Sequence, residues 1–224
     1  MAGMDESTMH IKLTLALLIL ANIANIVMMA TPEWMSYMVW DEGAWWFYGM
    51  WFRCRTQTAY TVCDGIPTNR APGMHPWFVA TQVFANFGFS TLILALIANL
   101  LYIYVGYCYR KLDDSKWLAM LVSFLSWVSC VLIFFASVIF AFKYNEESRG
   151  LFGLRLSYSW GMSVVCWMSS GLAGSFAARD AYITWKIYEH EGSLYNYAGT
   201  GNESVYTAPS VARPGIRYNQ EFEQ

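Results

Sequence analysis

Gly49-Met-Trp-Phe-Arg-Cys54, followed by eight residues and then Cys63, is the stretch on which the reading of this 224-residue chain turns. It lies between the first two of four long apolar segments. A glycine, a tryptophan and two cysteines crowded into such a loop describe a hairpin with an aromatic anchor. A disulfide would close it where an oxidising compartment can form the bond. Two reduced thiols that happen to lie close are the other reading of the pair. On the first reading, the loop rather than the apolar segments carries the function.

Hydrophobic residues make up 56% of the chain and charged residues 13%, a balance that a soluble core of this size does not need. Apolar segments of about 20 residues can cross a bilayer core as helices. Four are visible, over Leu13–Ala30, Trp77–Tyr107, Trp117–Phe142 and Tyr158–Ala178. The first is preceded by Asp5 and Glu6, with Lys12 as its only base, and its apolar run exceeds a signal-peptide core, so it reads as a span rather than a cleaved leader.

An even number of spans puts both termini on one side and the cysteine pair, if oxidised, on the other. Arg110, Lys111 and Lys116 in the short second connection, and Arg179 and Lys186 after the last span, mark the cytoplasmic side by the positive-inside rule. The bias is mild, because Arg53, Arg55, Arg70, Lys143, Arg149 and Arg155 lie opposite. The expected organisation is a cytoplasmic start over 1–12, a four-span region over 13–178 and a cytoplasmic tail over 179–224. The four-span region includes a first outer loop, 31–76, and a second, 143–157. The tail, rich in Gly, Ser, Asn and Tyr, has little to bury and is expected to be disordered.

Within the first outer loop, Trp45 to Cys54 and Thr58 to Cys63 read as two strands, with Arg55-Thr-Gln57 as their connection and Asp64-Gly65 as the following turn. Closing so short a ring contributes roughly 2–3 kcal/mol in the chain-entropy account. Cys108, Cys130 and Cys166 fall in or beside the membrane and read as packing residues. Cys108, close to Arg110, is also a candidate for palmitoylation.

For helix association, Asn22 and Asn25 share one face of the first span, and Gln82 and Asn86 one face of the second. Ser170, Gly171, Gly174 and Ala178 give the fourth a small-residue face. No ionisable residue falls well inside a predicted span, which argues against an ion-coupled transporter. His10, His75 and His190 are scattered, and no metal-ligand spacing, phosphate loop or nucleophile motif is present, so neither enzymatic chemistry nor a cofactor or metal is expected. A net charge of −2 without a basic patch gives nucleic acid nothing to bind.

The arrangement resembles the claudin superfamily of four-span proteins, which includes claudins, epithelial and peripheral myelin membrane proteins and calcium-channel gamma subunits. Gly49, Trp51, Cys54 and Cys63 fall on that family's Gly-Leu-Trp…Cys…Cys signature, with Met50 in place of leucine. Trp34 is similar to its earlier loop tryptophan, and Arg70 to its loop-closing arginine. The resemblance implies an all-α membrane fold, a four-transmembrane-helix bundle. Above it stands a small extracellular antiparallel β-sheet, formed mainly by the first outer loop with part of the second. The spacing from Trp34 to Trp51 and the compressed segment after Cys63 suit a divergent, invertebrate or otherwise outlying member.

Two functions follow from the resemblance. In the first, the chain is a plasma-membrane protein of cell–cell junctions, tight or septate. It associates with copies of itself in cis and in trans through the outer loop to make an adhesive barrier or paracellular path. Trp45, Trp46, Phe47 and Phe52 are its candidate interface aromatics, and Arg55, which lies between the two cysteines, its candidate charge-selectivity residue. In the second, it is an auxiliary subunit, like the gamma subunits, that alters the gating or traffic of a channel or receptor. Membrane lipid is a partner in both. The C-terminus, Glu221-Phe-Glu-Gln224, departs from the short hydrophobic motif that PDZ domains capture, and a terminal glutamine fits that pocket badly.

Overall fold

The computed structural model describes residues 9–39, 43–57, 60–65, 76–108, 112–147 and 155–199. Among them are helices α1 (Met9–Ala30), α2 (Pro76–Cys108), α3 (Leu112–Glu147) and α4 (Tyr158–Gly199). Five strands accompany them: β1 (Met35–Val39), β2 (Ala44–Tyr48), β3 (Phe52–Gln57), β4 (Tyr60–Gly65) and β5 (Arg155–Leu156). The chain divides into two units, Met1–Trp185 and Lys186–Gln224. The described part of the second is the last portion of α4, helical to Gly199.

Three helices carry stretches long and apolar enough to cross a membrane, Met9–Ala30, Pro76–Tyr104 and Trp117–Lys143. They are apolar on both faces. In α1, Leu18, Ala21, Ala24 and Met28 are buried while Ile19, Leu20, Ile23 and Ile26 are exposed; in α2, Ala85, Leu92 and Ala95 are buried while Val83, Phe87 and Leu94 are exposed. Helices hydrophobic all round sit in lipid, where the outward side chains have an apolar solvent. The chain is therefore a membrane-embedded protein.

The expected fourth span, Tyr158–Ala178, is helical as the first half of α4 but is not among these apolar stretches. Ser159, Ser163, Ser169, Ser170 and Ser175, with Gly161, Gly171 and Gly174, dilute its aliphatic residues. Of these, Ser159, Ser163, Ser169, Ser170, Gly171 and Gly174 are buried. A Cβ on Gly174 would lie 2.8 Å from the Trp127 ring, and one on Gly171 3.1 Å from the Cys130 sulfur. The segment 179–199, expected to be disordered, instead continues α4 to Gly199.

All four helices contribute to one buried cluster, which includes Leu18 and Met28 of α1, Leu92 of α2, Ile133 and Phe140 of α3 and Cys166 and Ala173 of α4. With no hydrophobic drive between helices in lipid, close approach and hydrogen bonding hold them together. Several of the polar contacts come from serines. Ser129 of α3 donates to the Gly88 carbonyl of α2 (2.9 Å), and Ser123 of α3 to the Gly174 carbonyl of α4 (2.9 Å). The Ser137 and Ser163 hydroxyls meet at 2.8 Å. The asparagines do less between helices than their spacing predicts. Asn22 donates to Leu18 and Asn86 to Gln82, each one turn back in its own helix, because a side-chain amide at a helix surface reaches the i−4 carbonyl first.

The strands form one antiparallel sheet in the order β4-β3-β2-β1-β5. β5 pairs with β1, Met35 opposite Leu156, so the second loop completes the sheet of the first. The expected strand Trp45–Cys54 is in fact two strands separated by a turn at Gly49-Met50-Trp51. The expected connection Arg55-Thr-Gln57 is strand, and Asp64-Gly65 ends β4. Every segment of this meander finds a partner, which outweighs the turn propensity of its polar residues.

Gly88 supplies a test of the helix packing. A Cβ there would lie 2.6 Å from Ile133 Cγ1. Gly88→Ala is expected to lower the thermal midpoint of the purified protein, and Ile133→Ala to recover part of that loss in the double variant. Strict additivity of the two changes in a double-mutant cycle would contradict the contact.

Candidate functional site: the stapled sheet and its footing

The disulfide joins Cys54 of β3 to Cys63 of β4, directly opposite in register with Cα atoms 4.0 Å apart. Cys54 is buried while β4 is exposed at all six positions, so the bond ties the outermost strand to the body of the sheet. Thr56 and Thr61 share a hydroxyl hydrogen bond of 3.0 Å two pairs further along the ladder. A few strands alone are marginal in water. The staple and the underlying helices supply what the small sheet lacks.

The sheet stands on Trp34. Its indole N–H donates to the Met28 carbonyl near the end of α1 (2.7 Å), and its ring meets Phe140 of α3 edge-on at 4.9 Å. The backbone of the same residue joins both loops: its N–H donates to Tyr48 of β2 (2.9 Å), and its carbonyl accepts from Ser157 after β5 (3.1 Å). Trp34 is wholly buried, so its indole N–H has to find a partner within the protein, and Met28, at the helix end, has a carbonyl that no intrahelical donor takes. Beside it the Thr31 and Ser159 hydroxyls meet at 2.6 Å, linking the end of α1 to the start of α4.

The turn Gly49-Met50-Trp51 is the second foot. A Cβ on Gly49 would fall 2.5 Å from Pro32 Cα and 2.6 Å from the Thr31 carbonyl oxygen, so only glycine lets the turn lie against that backbone. Gly49 N–H donates to Phe52 (2.8 Å), closing the hairpin. Met50 is completely buried, and Gln82 of α2 donates to its carbonyl at 2.8 Å. Trp51 is half-buried against the same cluster. The expected anchor is thus shared: Trp34 and Met50 are the deep plugs, and Trp51 covers them.

Above the footing, one sheet face carries a run of rings, Tyr37 stacked on Tyr48 (5.8 Å) and Tyr48 on Trp46 (6.3 Å). The Arg55 guanidinium lies 5.5 Å over Trp46. A cation over an indole face is held by the ring quadrupole, which here fixes Arg55 on the sheet rather than leaving it to sweep solvent. Of the expected interface aromatics, Trp45 (41% exposed) and Phe52 (46%) are open, whereas Trp46 and Phe47 are half-buried. Tyr60 and Val62 of β4 are also exposed.

The structure thus brings Trp34, Gly49 and Trp51 together at the footing of one sheet and places Cys54 and Cys63 toward its β4 edge. Arg70 and the tail beyond Gly199 lie outside the described residues, as do the side chain of Cys108, the last residue of α2, and that of His190. Met50 and Gln82 carry no local signal for this footing, because Gly49-Met-Trp51 lies inside a run of aromatic residues that reads as one strand. Among the described residues, no group of His, Cys, Asp or Glu could hold a metal ion. No family model matches this sequence, and no curated protein matches it.

The two tryptophans separate footing from cover. Trp34→Ala removes a buried ring and a buried hydrogen bond and is expected to cost about 3–5 kcal/mol. Trp51→Ala is expected to cost clearly less. Surface delivery and thermal midpoints of the two variants measure this, and equal losses would contradict the assignment of Trp34 as the deep anchor.

Proposed function

We propose that this chain is a claudin-like four-span plasma-membrane protein that works at cell–cell contacts through its stapled sheet. In this reading the first half of α4 is the fourth crossing, with Ser163, Ser170, Gly171 and Gly174 buried in the bundle. Both termini are cytoplasmic and the sheet is extracellular. The disulfide supports that side, because an oxidising compartment is where such a bond forms and persists.

The observation that carries the proposal is β4. It is an edge strand exposed along its whole length, bearing Tyr60 and Val62, and a disulfide holds it in the sheet. Long exposed edges invite pairing with another chain unless they are blocked. Spending a covalent bond to keep such an edge in place suits a surface meant for association. Copies of the chain side by side and across the intercellular gap are the partners this reading names. Arg55, held over Trp46 between the two cysteines, is then the residue that would set the charge preference of any path between them.

Cells that make no junction strands test this. A fluorescently tagged protein is expressed in them, and the cells are mixed with untagged expressers and with non-expressers. Enrichment of the tag at contacts between two expressers, and not at contacts with non-expressers, is expected. A uniform surface distribution would overturn the junction reading and favour an auxiliary subunit of a channel or receptor.

A further inference from the structure

Contacts between the helices mark two levels of the bundle. At the end remote from the sheet, Tyr102 of α2, Ala119 of α3 and Ala181 of α4 form a small buried cluster, with Ile11 of α1 and Leu118 of α3 packed against it. Beside its members, on the outer surface, stand Tyr104, Trp117 and Tyr182. Trp185 lies 6.4 Å from Tyr182, ring to ring, and all four are more than half exposed. At the opposite end Trp77 of α2 meets Phe140 of α3 (6.0 Å), and Trp160 of α4 donates to the Ser137 carbonyl of α3 (3.1 Å). At the α-helical rise, the two levels are about 40 Å apart along α2 from Trp77 to Tyr104, about 35 Å along α3 from Phe140 to Trp117, and about 38 Å along α4 from Trp160 to Trp185. Ended at Ala178, the same stretch of α4 would measure about 27 Å, short of the helices it packs with.

Tyrosine and tryptophan combine an apolar ring with a polar O–H or N–H, and they collect where hydrocarbon gives way to headgroups. The outward side of α4 changes character at the same level. Val165, Met168 and Leu172, all exposed, are followed at the same helical spacing by Ser175, Arg179 and Tyr182, also exposed. An arginine at such a depth lays its stem along the hydrocarbon and its guanidinium among lipid phosphates. We infer that Tyr104, Trp117, Arg179, Tyr182 and Trp185 form a surface that binds the phospholipid headgroups of one leaflet, and that the fourth crossing extends to Trp185 rather than ending at Ala178. The inference rests on the reading of α4 as the fourth crossing, under which that leaflet is the cytoplasmic one. The lengths agree with a bilayer, whose hydrocarbon core is about 30 Å thick and whose depth with headgroups is about 40–45 Å. Asp180 then falls just inside the boundary, where a carboxylate facing lipid would be costly. It is instead buried in the bundle, accepting from the Tyr102 hydroxyl at 2.6 Å.

Depth in the bilayer decides the matter. The full-length protein, with Cys108, Cys130 and Cys166 replaced by alanine and the disulfide kept, receives one new cysteine at a time: Met168→Cys, Ala178→Cys, Tyr182→Cys or Tyr104→Cys. Each of these positions is exposed, so a nitroxide attached there displaces no packed group. In phosphatidylcholine liposomes, the collision rate of each nitroxide with oxygen, which concentrates in hydrocarbon, is compared with that for a water-soluble nickel chelate. Oxygen is expected to dominate at 168 and 178, and the two rates to approach balance at 182 and 104, at one common depth. Oxygen dominating at 168 but nickel at both 178 and 182 would end the crossing at Ala178 and overturn the inference, while leaving α4 as the fourth crossing. Oxygen still dominating at 182 would overturn it too, by moving the boundary beyond these residues. Nickel dominating at 168 as well would remove the fourth crossing itself, and the proposed four-span reading with it. Should Tyr182→Cys not fold, Trp185→Cys takes its place with the same expected balance.

Discussion

The Trp34 side chain is the constraint on which the rest of this structure leans. A wholly buried indole must satisfy its N–H, and the only acceptors a helix leaves open are the carbonyls of its last turn. By donating to Met28, Trp34 locks the chain's exit from α1, while its backbone takes β2 on one side and the approach to α4 on the other. A small sheet that could not stand alone is thereby mounted on helices that cannot leave the membrane. Gly49 lying on Pro32 and Met50 plugging the bundle under Gln82 repeat the arrangement from the other end of the hairpin.

That mounting divides labour within the family-like motif. Gly49, Trp51 and the cysteines read together as one signature, yet they do different things. The glycine and the tryptophan face the bundle and set where the sheet stands. The disulfide works at the far edge and holds β4 in place. What remains open to a partner is β4 with Trp45 and Phe52, residues outside the motif.

Long apolar runs made the first three helices legible, because a bilayer demands length and apolarity and little else. The fourth was legible as a segment but not by apolarity, since residues chosen for close packing, Ser163, Ser170, Gly171 and Gly174, are the ones that lower hydropathy. The turn at Gly49-Met50-Trp51 was hidden for a related reason. Turns are recognised by polar residues, and this one is apolar because it plugs the bundle. β5 gave no local signal, being a two-residue strand that exists only through pairing with β1 across more than a hundred residues of chain. Asp180 sits just beyond the last apolar residue of its segment, so it read as tail. Its burial against Tyr102 depends on α4 continuing as a helix, which composition alone argued against.

The proposed function requires the sheet to stand outside the cell on the membrane-embedded bundle. The most direct measurement is labelling of an Arg155→Cys variant with a membrane-impermeant maleimide, since Arg155 lies exposed on β5 beside β1. Modification in intact cells, without permeabilisation and beyond the wild-type background, is the result the account predicts. Modification only after the membrane is opened would put the sheet in the cytoplasm and contradict it.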